Sequence, residues 1–171
     1  MRNTFDRFNG RHQDYQAARP SYAQEFLDWL GELYAPPERY TAADIGSGTG
    51  KLSAQLLAAG FRVCGVEPNP DMRGAAEALL GGDPRFSSSN GTDHDTGLPD
   101  RSVDMVAAAQ AFHWFDGPAF ARECRRILRP GGRAVLVWNV RGSAPMNQAL
   151  AQVFREHCPS FHGFTGGVGE D

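Results

Sequence analysis

The 171-residue sequence predicts an α/β fold, a three-layer sandwich built on a mostly parallel sheet. Three observations predict it. Short apolar runs at 42–45, 62–66, 104–109 and 133–138 alternate with segments of helical periodicity. Turn residues bound the first two runs, as suits strands buried on both faces. A glycine-rich turn, Gly46-Ser47-Gly48-Thr49-Gly50, closes the first run and leads directly into a helical segment.

In chain order, Tyr22 to Leu33 carries Phe26, Leu27, Leu30 and Leu33 at helical spacing, with Ser21 as the expected N-cap and Pro36-Pro37 as the stop. Ala42 to Ile45 is the first strand, Lys51 to Ala59 the helix after the glycine turn, and Arg62 to Val66 the second strand. Asp71 to Leu80 is a helix with Met72, Ala75, Ala76, Leu79 and Leu80 on one face, closed by Gly81-Gly82. Arg85 to Ser89 forms a brief third strand and Asp104 to Ala109 a fourth. Ala119 to Leu128 is a helix with Phe120, Cys124, Ile127 and Leu128 as its apolar stripe. Pro130-Gly131-Gly132 then turns the chain into Arg133 to Trp138, the fifth strand. Met146 to His157 supplies a last helix. Right-handed crossovers of these lengths place helices on both faces of the sheet. The whole of 1–171 is expected to form one domain: an N-terminal cap segment over 1–34, a core over 41–141, and a helix and tail over 145–171.

The 41% apolar and 22% charged residues are ordinary for a globular protein. No run approaches the ~20 apolar residues that cross a bilayer, and Met1 to Asp6 has no apolar signal core, so a cytoplasmic location is the expectation. Cys64, Cys124 and Cys158 are too few and too far apart for a disulfide framework or a four-ligand zinc site. The cluster of His157, Cys158 and His162 reads as surface or packing, and no metal is expected. A net charge of -3 disfavours nonspecific nucleic-acid binding. Arg122, Arg126, Arg129 and Arg133 accordingly read as a solvated face that complements a helix C-terminus.

The glycine turn excludes two phosphate-binding patterns by spacing. Counting from Gly46, the third glycine of a dinucleotide fingerprint falls on Lys51, and a phosphate-cradling loop would need other residues at Ile45 and Leu52. What remains, Asp44-x-Gly46-x-Gly48-x-Gly50 with Glu67 about twenty residues on, resembles the first two motifs of the class I S-adenosylmethionine-dependent methyltransferases, whose fold is Rossmann-like. The resemblance implies that Gly46, Ser47, Gly48 and Gly50 pack against the methionine part of the cofactor, with Asp44 near its ammonium group. It also implies that Glu67, followed by Pro68, accepts hydrogen bonds from the ribose hydroxyls. A carboxylate has two acceptor oxygens, which suits a vicinal diol.

Further segments are similar to the family's small-molecule subgroup. Tyr15-x-x-x-Arg19-Pro20-x-Tyr22 resembles its cap segment, which would bring Tyr15 and Arg19 to the amino-acid end of the cofactor. The alternative for Arg19 is a surface arginine beside a helix start. Asn90 to His94 resembles the adenine-binding loop, with the acid at Asp93 where relatives carry one at the position of Thr92. Side chains or backbone groups of Thr92 and Asp93 are both open as adenine contacts. Gln110-Ala111-Phe112-His113-Trp114-Phe115 is similar to a segment of trans-aconitate methyltransferase-like proteins. It adds Gln110 to the cofactor set and offers His113 as a base or acceptor-orienting group. Its aromatics either wall the sulfonium or pack the following helix.

The implied function is methyl transfer from S-adenosylmethionine to a small molecule, a carboxylate being one option, with S-adenosylhomocysteine as product. The alternatives are a non-catalytic domain that binds the same cofactor, and a nicotinamide-dependent oxidoreductase resting on the shared sheet alone. Partners other than the acceptor, whether membrane or nucleic acid, are not expected. Members of the family continue for several dozen residues beyond the segment matching Trp138 to Arg141. The sheet is therefore expected to be incomplete at its C-terminal edge, with the fifth strand open to pairing in a homodimer.

Overall fold

The computed structural model describes residues 21–139 and Gln152. Tyr15, Arg19, Cys158, the histidines at 157 and 162, and the 146–157 helix apart from Gln152 lie outside the described residues. The chain divides into two compact units, Met1–Val137 and Trp138–Asp171, and every element below belongs to the first.

The elements are α1 (Gln24–Leu33), β1 (Thr41–Ile45), α2 (Lys51–Ala58), β2 (Arg62–Val66), α3 (Pro70–Leu80), β3 (Phe86–Ser89), β4 (Val103–Ala109), α4 (Gly117–Ile127) and β5 (Leu128–Val137). The strands form one five-stranded sheet in the order β3-β2-β1-β4-β5, and every neighbouring pair is parallel. This is the expected α/β architecture. The chain steps outward from β1 to β3 and then returns to place β4 on the other side of β1. The order reverses there, and a crevice opens beyond the carboxyl ends of β1 and β4.

Alternation along the inner strands divides the core between the two sheet faces. Ala42, Val63, Met105 and Ala107 face α1 and α2, where Leu30, Tyr34, Leu52, Leu56 and Phe61 are buried. Ala43, Ile45, Cys64, Val66, Val106 and Ala108 face α4, where Phe120, Cys124 and Ile127 complete the second layer. Alanine recurs in β1 and β4 because these strands are covered on both sides and leave little volume between sheet and helix. Cys64 and Cys124 are packing residues, and burial pushes the Cys124 thiol up to about 11.

Several boundaries differ from the sequence expectations, each for a local reason. The N-cap of α1 is Ala23 rather than Ser21, and it makes no side-chain cap bond. Tyr22 turns inward instead, its N–H donating to Gln55 Oε1 at 3.1 Å. On α3 the buried positions are Met72 and Ala76, while Leu79 is 52% exposed, so the apolar face is narrower than the composition implied. The turn Pro130-Gly131-Gly132 lies within β5 rather than before it, because Val103 pairs with Leu128 but Met105 pairs with Arg133. The surplus residues of β5 bulge out at that point.

The arginine stripe is partly spent on internal ties. Arg129 Nη1 donates to Asp104 Oδ2 at 2.6 Å, and the same oxygen accepts the Thr41 N–H at 2.8 Å, so the start of β1 is pinned to β4. Glu123, buried on α4, accepts from the Thr96 N–H at 2.9 Å and hydroxyl at 2.6 Å. Arg126 closes on Glu123 with two donors, at 2.8 and 2.7 Å, and reaches Asp100 with a third at 2.7 Å. The loop between β3 and β4 is thereby tied to α4.

The Arg126 guanidinium holds the Glu123 carboxyl down at about 2, with the Thr96 bonds adding to it. A depressed carboxylate contributes stability that is complete above its ordinary range near 4.5 and is lost as pH falls toward 2. Glu123→Ala is expected to cost about 2 kcal/mol, below the range for a fully enclosed pair because Arg126 is more than a third exposed. Denaturant unfolding at neutral pH and near pH 3 checks this: the gap between wild type and variant should narrow in acid, and an unchanged gap would reject the assignment.

Candidate functional site

A cavity of about 200 Å³ opens at the carboxyl ends of β1, β2 and β4. Its floor is the glycine turn after β1. The N–H groups of Gly46 and Ser47 both donate to Val66 O, at 2.9 and 3.2 Å, which folds the turn back against the tip of β2. Gly46, Gly48 and Gly50 all have positive φ, at 71, 57 and 82°. A Cβ on Gly46 would lie 2.8 Å from Ala111 Cβ, and one on Gly50 would lie 2.9 Å from Leu80 Cδ1. At Gly48, by contrast, an added Cβ meets nothing within 4 Å. Gly46 and Gly50 thus serve close packing, whereas the bare backbone of Gly48 faces the cavity it lines.

Glu67 stands at the end of β2 and is 9% exposed. Its Oε2 accepts the Gly48 N–H at 2.9 Å and its Oε1 accepts the Asn69 N–H at 2.9 Å. Burial pushes the carboxyl up, while these N–H groups and the charge of Arg73 oppose the shift. Each oxygen keeps a further acceptor position beside the cavity. Asn69 is in turn held by its side chain, which accepts from the Asp71 and Met72 N–H groups at 3.0 and 3.1 Å as the N-cap of α3.

Asp44 is 1% exposed near the end of β1. Its Oδ2 accepts the Ser53 hydroxyl at 2.7 Å. Burial pushes its carboxyl up to about 6, against the lowering effect of the Ser53 hydrogen bonds. Asp93 is committed elsewhere: its Oδ2 accepts the Asp116 N–H at 3.0 Å, and its Oδ1 lies 3.0 Å from His94 Nδ1. The Thr92 N–H and hydroxyl both bond to the backbone of Asp95. The carboxylate of Asp93 therefore ties the loop to the start of α4, and both Thr92 and Asp93 line the cavity.

Of the residues singled out in the sequence, Asp44, Gly46, Ser47, Gly48, Glu67, Pro68, Thr92, Asp93 and Gln110 all line this cavity. Gly50 does not; it packs on α3. His113 is not among the described lining residues either. It is exposed on the 3-10 turn Phe112–Trp114, its ring 4.9 Å from that of Trp114. The aromatic alternatives divide: Trp114 and Phe115 line the cavity, whereas Phe112 packs edge-on against Phe115 and Phe120. Gln110 has φ 55, a left-handed backbone unusual for a residue with a side chain, at the point where β4 ends. Its N–H donates to Val137 O at 2.8 Å, and the turn steers the next residues across the cavity.

Tyr22, Lys51, Asn69 and Met72 also belong to the wall, and the sequence reading assigned them no place there. Tyr22 closes the cap motif without having been given a role in it, and Lys51 directly follows the glycine turn. Among the described residues no group of three histidine, cysteine or acidic side chains could hold a metal ion, and no helix is long and apolar enough to cross a membrane.

Substituting two of these glycines separates the roles of the turn. Both Gly48→Ala and Gly50→Ala carry the left-handed backbone penalty of about 1–2 kcal/mol, but only the second also forces Leu80 and Ala76 to move. Calorimetric melting should show Gly50→Ala as the less stable protein. Ligand titration should show Gly48→Ala with the larger loss of affinity per unit of lost stability.

Known proteins agree with this geometry. A profile of the methyltransferase domain family matches residues 43–136. An uncharacterized methyltransferase of Mycobacterium bovis is 42% identical over 127 residues, which is 74% of this chain and 49% of the relative. One from Schizosaccharomyces pombe is 31% identical over 145 residues, covering 84% and 57% respectively. A solved structure from Anaeromyxobacter dehalogenans, described as a type II methyltransferase, aligns with a TM-score of 0.63 at 36% identity, over 81% of this chain and 56% of that one. Another from Anabaena variabilis, described as a methyltransferase of an antibiotic biosynthesis pathway, aligns at 0.61 with 28% identity, over 78% and 53%. The chain spans about half the length of the curated relatives it matches. With the glycine turn and the acid of β2 meeting at one cavity, this chain belongs to the methyltransferase domain family, whose cofactor is S-adenosylmethionine.

Proposed function

We propose that this protein transfers a methyl group from S-adenosylmethionine to a small-molecule acceptor, in the manner of the trans-aconitate methyltransferase-like subgroup, with a carboxylate as the acceptor group. The observation that carries the reading is Glu67: a buried carboxylate at a strand end, fixed by two main-chain N–H groups, with acceptor capacity left over beside a turn of bare backbone. That capacity fits a ribose diol. The open space at Gly48 fits a ligand pressed against the main chain.

The cofactor supplies an electrophilic methyl on a sulfonium; the protein supplies binding, alignment and a dry site. Glu67 and Pro68 orient the ribose. The main chain of Thr92 and Asp93 meets the adenine, and Gly46, Ser47 and Gly48 seat the methionine part. Asp44 sets a negative charge on the ammonium side. Tyr22, Trp114 and Phe115 offer ring surface toward the sulfonium and the acceptor. Tyr15 and Arg19 keep their proposed place at the amino-acid end.

A carboxylate acceptor is ionised at neutral pH and needs no general base. For His113, standing against Trp114 outside the described wall, we therefore favour orienting the acceptor over removing its proton. In His113→Ala, turnover is expected to show a raised KM with the pH profile unchanged across the histidine range. Loss of the acidic limb of that profile would make His113 a base instead.

The first test is ligand choice. Thermal shift should rise with S-adenosylhomocysteine and stay flat with NAD, and Glu67→Ala should weaken the homocysteine ligand by about tenfold or more. Binding by wild type without methylation of any acid or phenol in an acceptor panel would favour cofactor binding without transfer.

Asp44 makes the binding pH-dependent. Its raised value, about 6, means that the folded protein holds a proton that the unfolded chain has released, so its contribution to stability falls as pH rises from about 4 through about 6. A cationic ammonium beside it favours the ionised form. Affinity for S-adenosylhomocysteine should therefore strengthen as pH rises through about 6 and then level off. Asp44→Asn should remove that dependence; titrations at several pH values that show the same slope in both proteins would reject the pairing.

A further inference from the structure

Arg73, on α3, is a cation drawn away from solvent, its side chain 20% exposed. The salt bridge it makes within its helix, to the half-exposed Glu77 at 3.7 Å, is too long and too wet to account for that burial. Its hydrogen bonds lead elsewhere. Nη1 donates to Glu67 O at 2.8 Å, to Asn90 Oδ1 at 3.1 Å and, at greater length, to Pro68 O at 3.4 Å. One nitrogen thus bridges the segment after β2 and the loop after β3.

The bridge falls between two parts of the cavity wall. Glu67 lines it from the tip of β2, and Thr92 and Asp93 line it from just beyond Asn90, whereas Arg73 itself is not among the described lining residues. The Glu67 N–H donates to Ser89 O at 3.1 Å, so both main-chain groups of this acid are tied, one to the end of β3 and the other to Arg73. Beyond Asn90 the loop is closely packed on itself, since a Cβ on Gly91 would lie 2.5 Å from Thr96 O. The charge of Arg73 also favours the ionised form of Glu67 against its burial.

We propose that Arg73 is a positioning residue for the cofactor: it sets the Thr92 and Asp93 side of the wall at a fixed separation from Glu67, so that base and ribose are recognised as one unit. This rests on the reading of the cavity as the S-adenosylmethionine site. Base edge and diol belong to one stiff nucleoside, so two segments hold both only when their spacing matches it, and a small shift of either forfeits its hydrogen bonds. The pairing of β2 with β3 ends at Val66 and Ser89. Past that point a guanidinium that reaches both segments carries the tie onward.

Two ligands that differ only at the base edge isolate the role: S-adenosylhomocysteine, and S-inosylhomocysteine, in which a carbonyl replaces the 6-amino group. Calorimetric titration of the full chain is expected to show wild type preferring the adenine ligand by about tenfold. Arg73→Met should weaken that ligand about tenfold and the inosine ligand by no more than about threefold, so that most of the preference disappears. Asn90→Ala removes an exposed side chain outside α3; it should reduce the preference in the same direction with an unchanged melting curve, and in the double variant the two effects should not multiply. Glu77→Gln should leave both affinities as they are. Circular dichroism melting identifies whether Arg73→Met is folded, and if it is not, Asn90→Ala decides. Equal weakening of both ligands in folded Arg73→Met, a preference retained in Asn90→Ala, or equal binding of the two ligands by wild type overturns the role of Arg73 while leaving the cofactor site standing. Failure of the wild-type protein to bind S-adenosylhomocysteine overturns the cofactor reading itself, and the role of Arg73 with it.

Discussion

The clamp that Glu67 makes between two loops is the constraint on which the site depends. One carboxylate takes an N–H from the turn after β1 and another from the start of α3, so the ends of neighbouring strands are joined by a single side chain. Taking such a group out of water costs several kcal/mol unless its hydrogen bonds are met. Two main-chain donors meet part of that cost and leave acceptor capacity toward the cavity. The acid is thus both a structural tie and a ligand group, and the two uses share one geometry.

The glycines around it divide the labour by what surrounds them. Gly46 and Gly50 are forced by neighbours, Ala111 and Phe115 on one side and Ala76 and Leu80 on the other. Gly48 is open, and its N–H is the one that Glu67 holds. Close packing at two positions presents bare backbone at the third. The left-handed turn at Gln110, at the end of strand β4, plays the corresponding part on the far wall, where Ala111, Trp114 and Phe115 border the cavity.

The remaining wall is held from behind by α4. Asp93 bonds to the N-cap residue of that helix, and Thr96 bonds to Glu123 one face further along. A loop without regular structure acquires a defined path because polar groups on a packed helix satisfy its backbone. Arg126, which neutralises Glu123 and also reaches Asp100, completes the tie. Residues that read as a solvated basic stripe are in this way partly turned to internal use.

Much of this was legible in the sequence. The strand and helix order, the two-sided burial of β1 and β2, the glycine turn and the partner acid Glu67 all follow from local patterns, because apolar periodicity and left-handed turns are imposed by neighbouring residues on each other. The choice among equivalent polar groups was not legible. Nothing local says that Asp93 bonds to the N-cap residue of α4, that His113 is not among the described wall residues while Trp114 is, that Leu79 is exposed, or that the Pro130 turn sits inside a strand as a bulge. Nor does it say that Lys51 joins the wall. Those outcomes depend on which side chains from distant segments arrive at the same place, and hydrogen bonds and charges act only over the few ångströms that packing sets. Sequence alone determined the frame and the motif; the tertiary structure decided which of the motif's neighbours face the cavity.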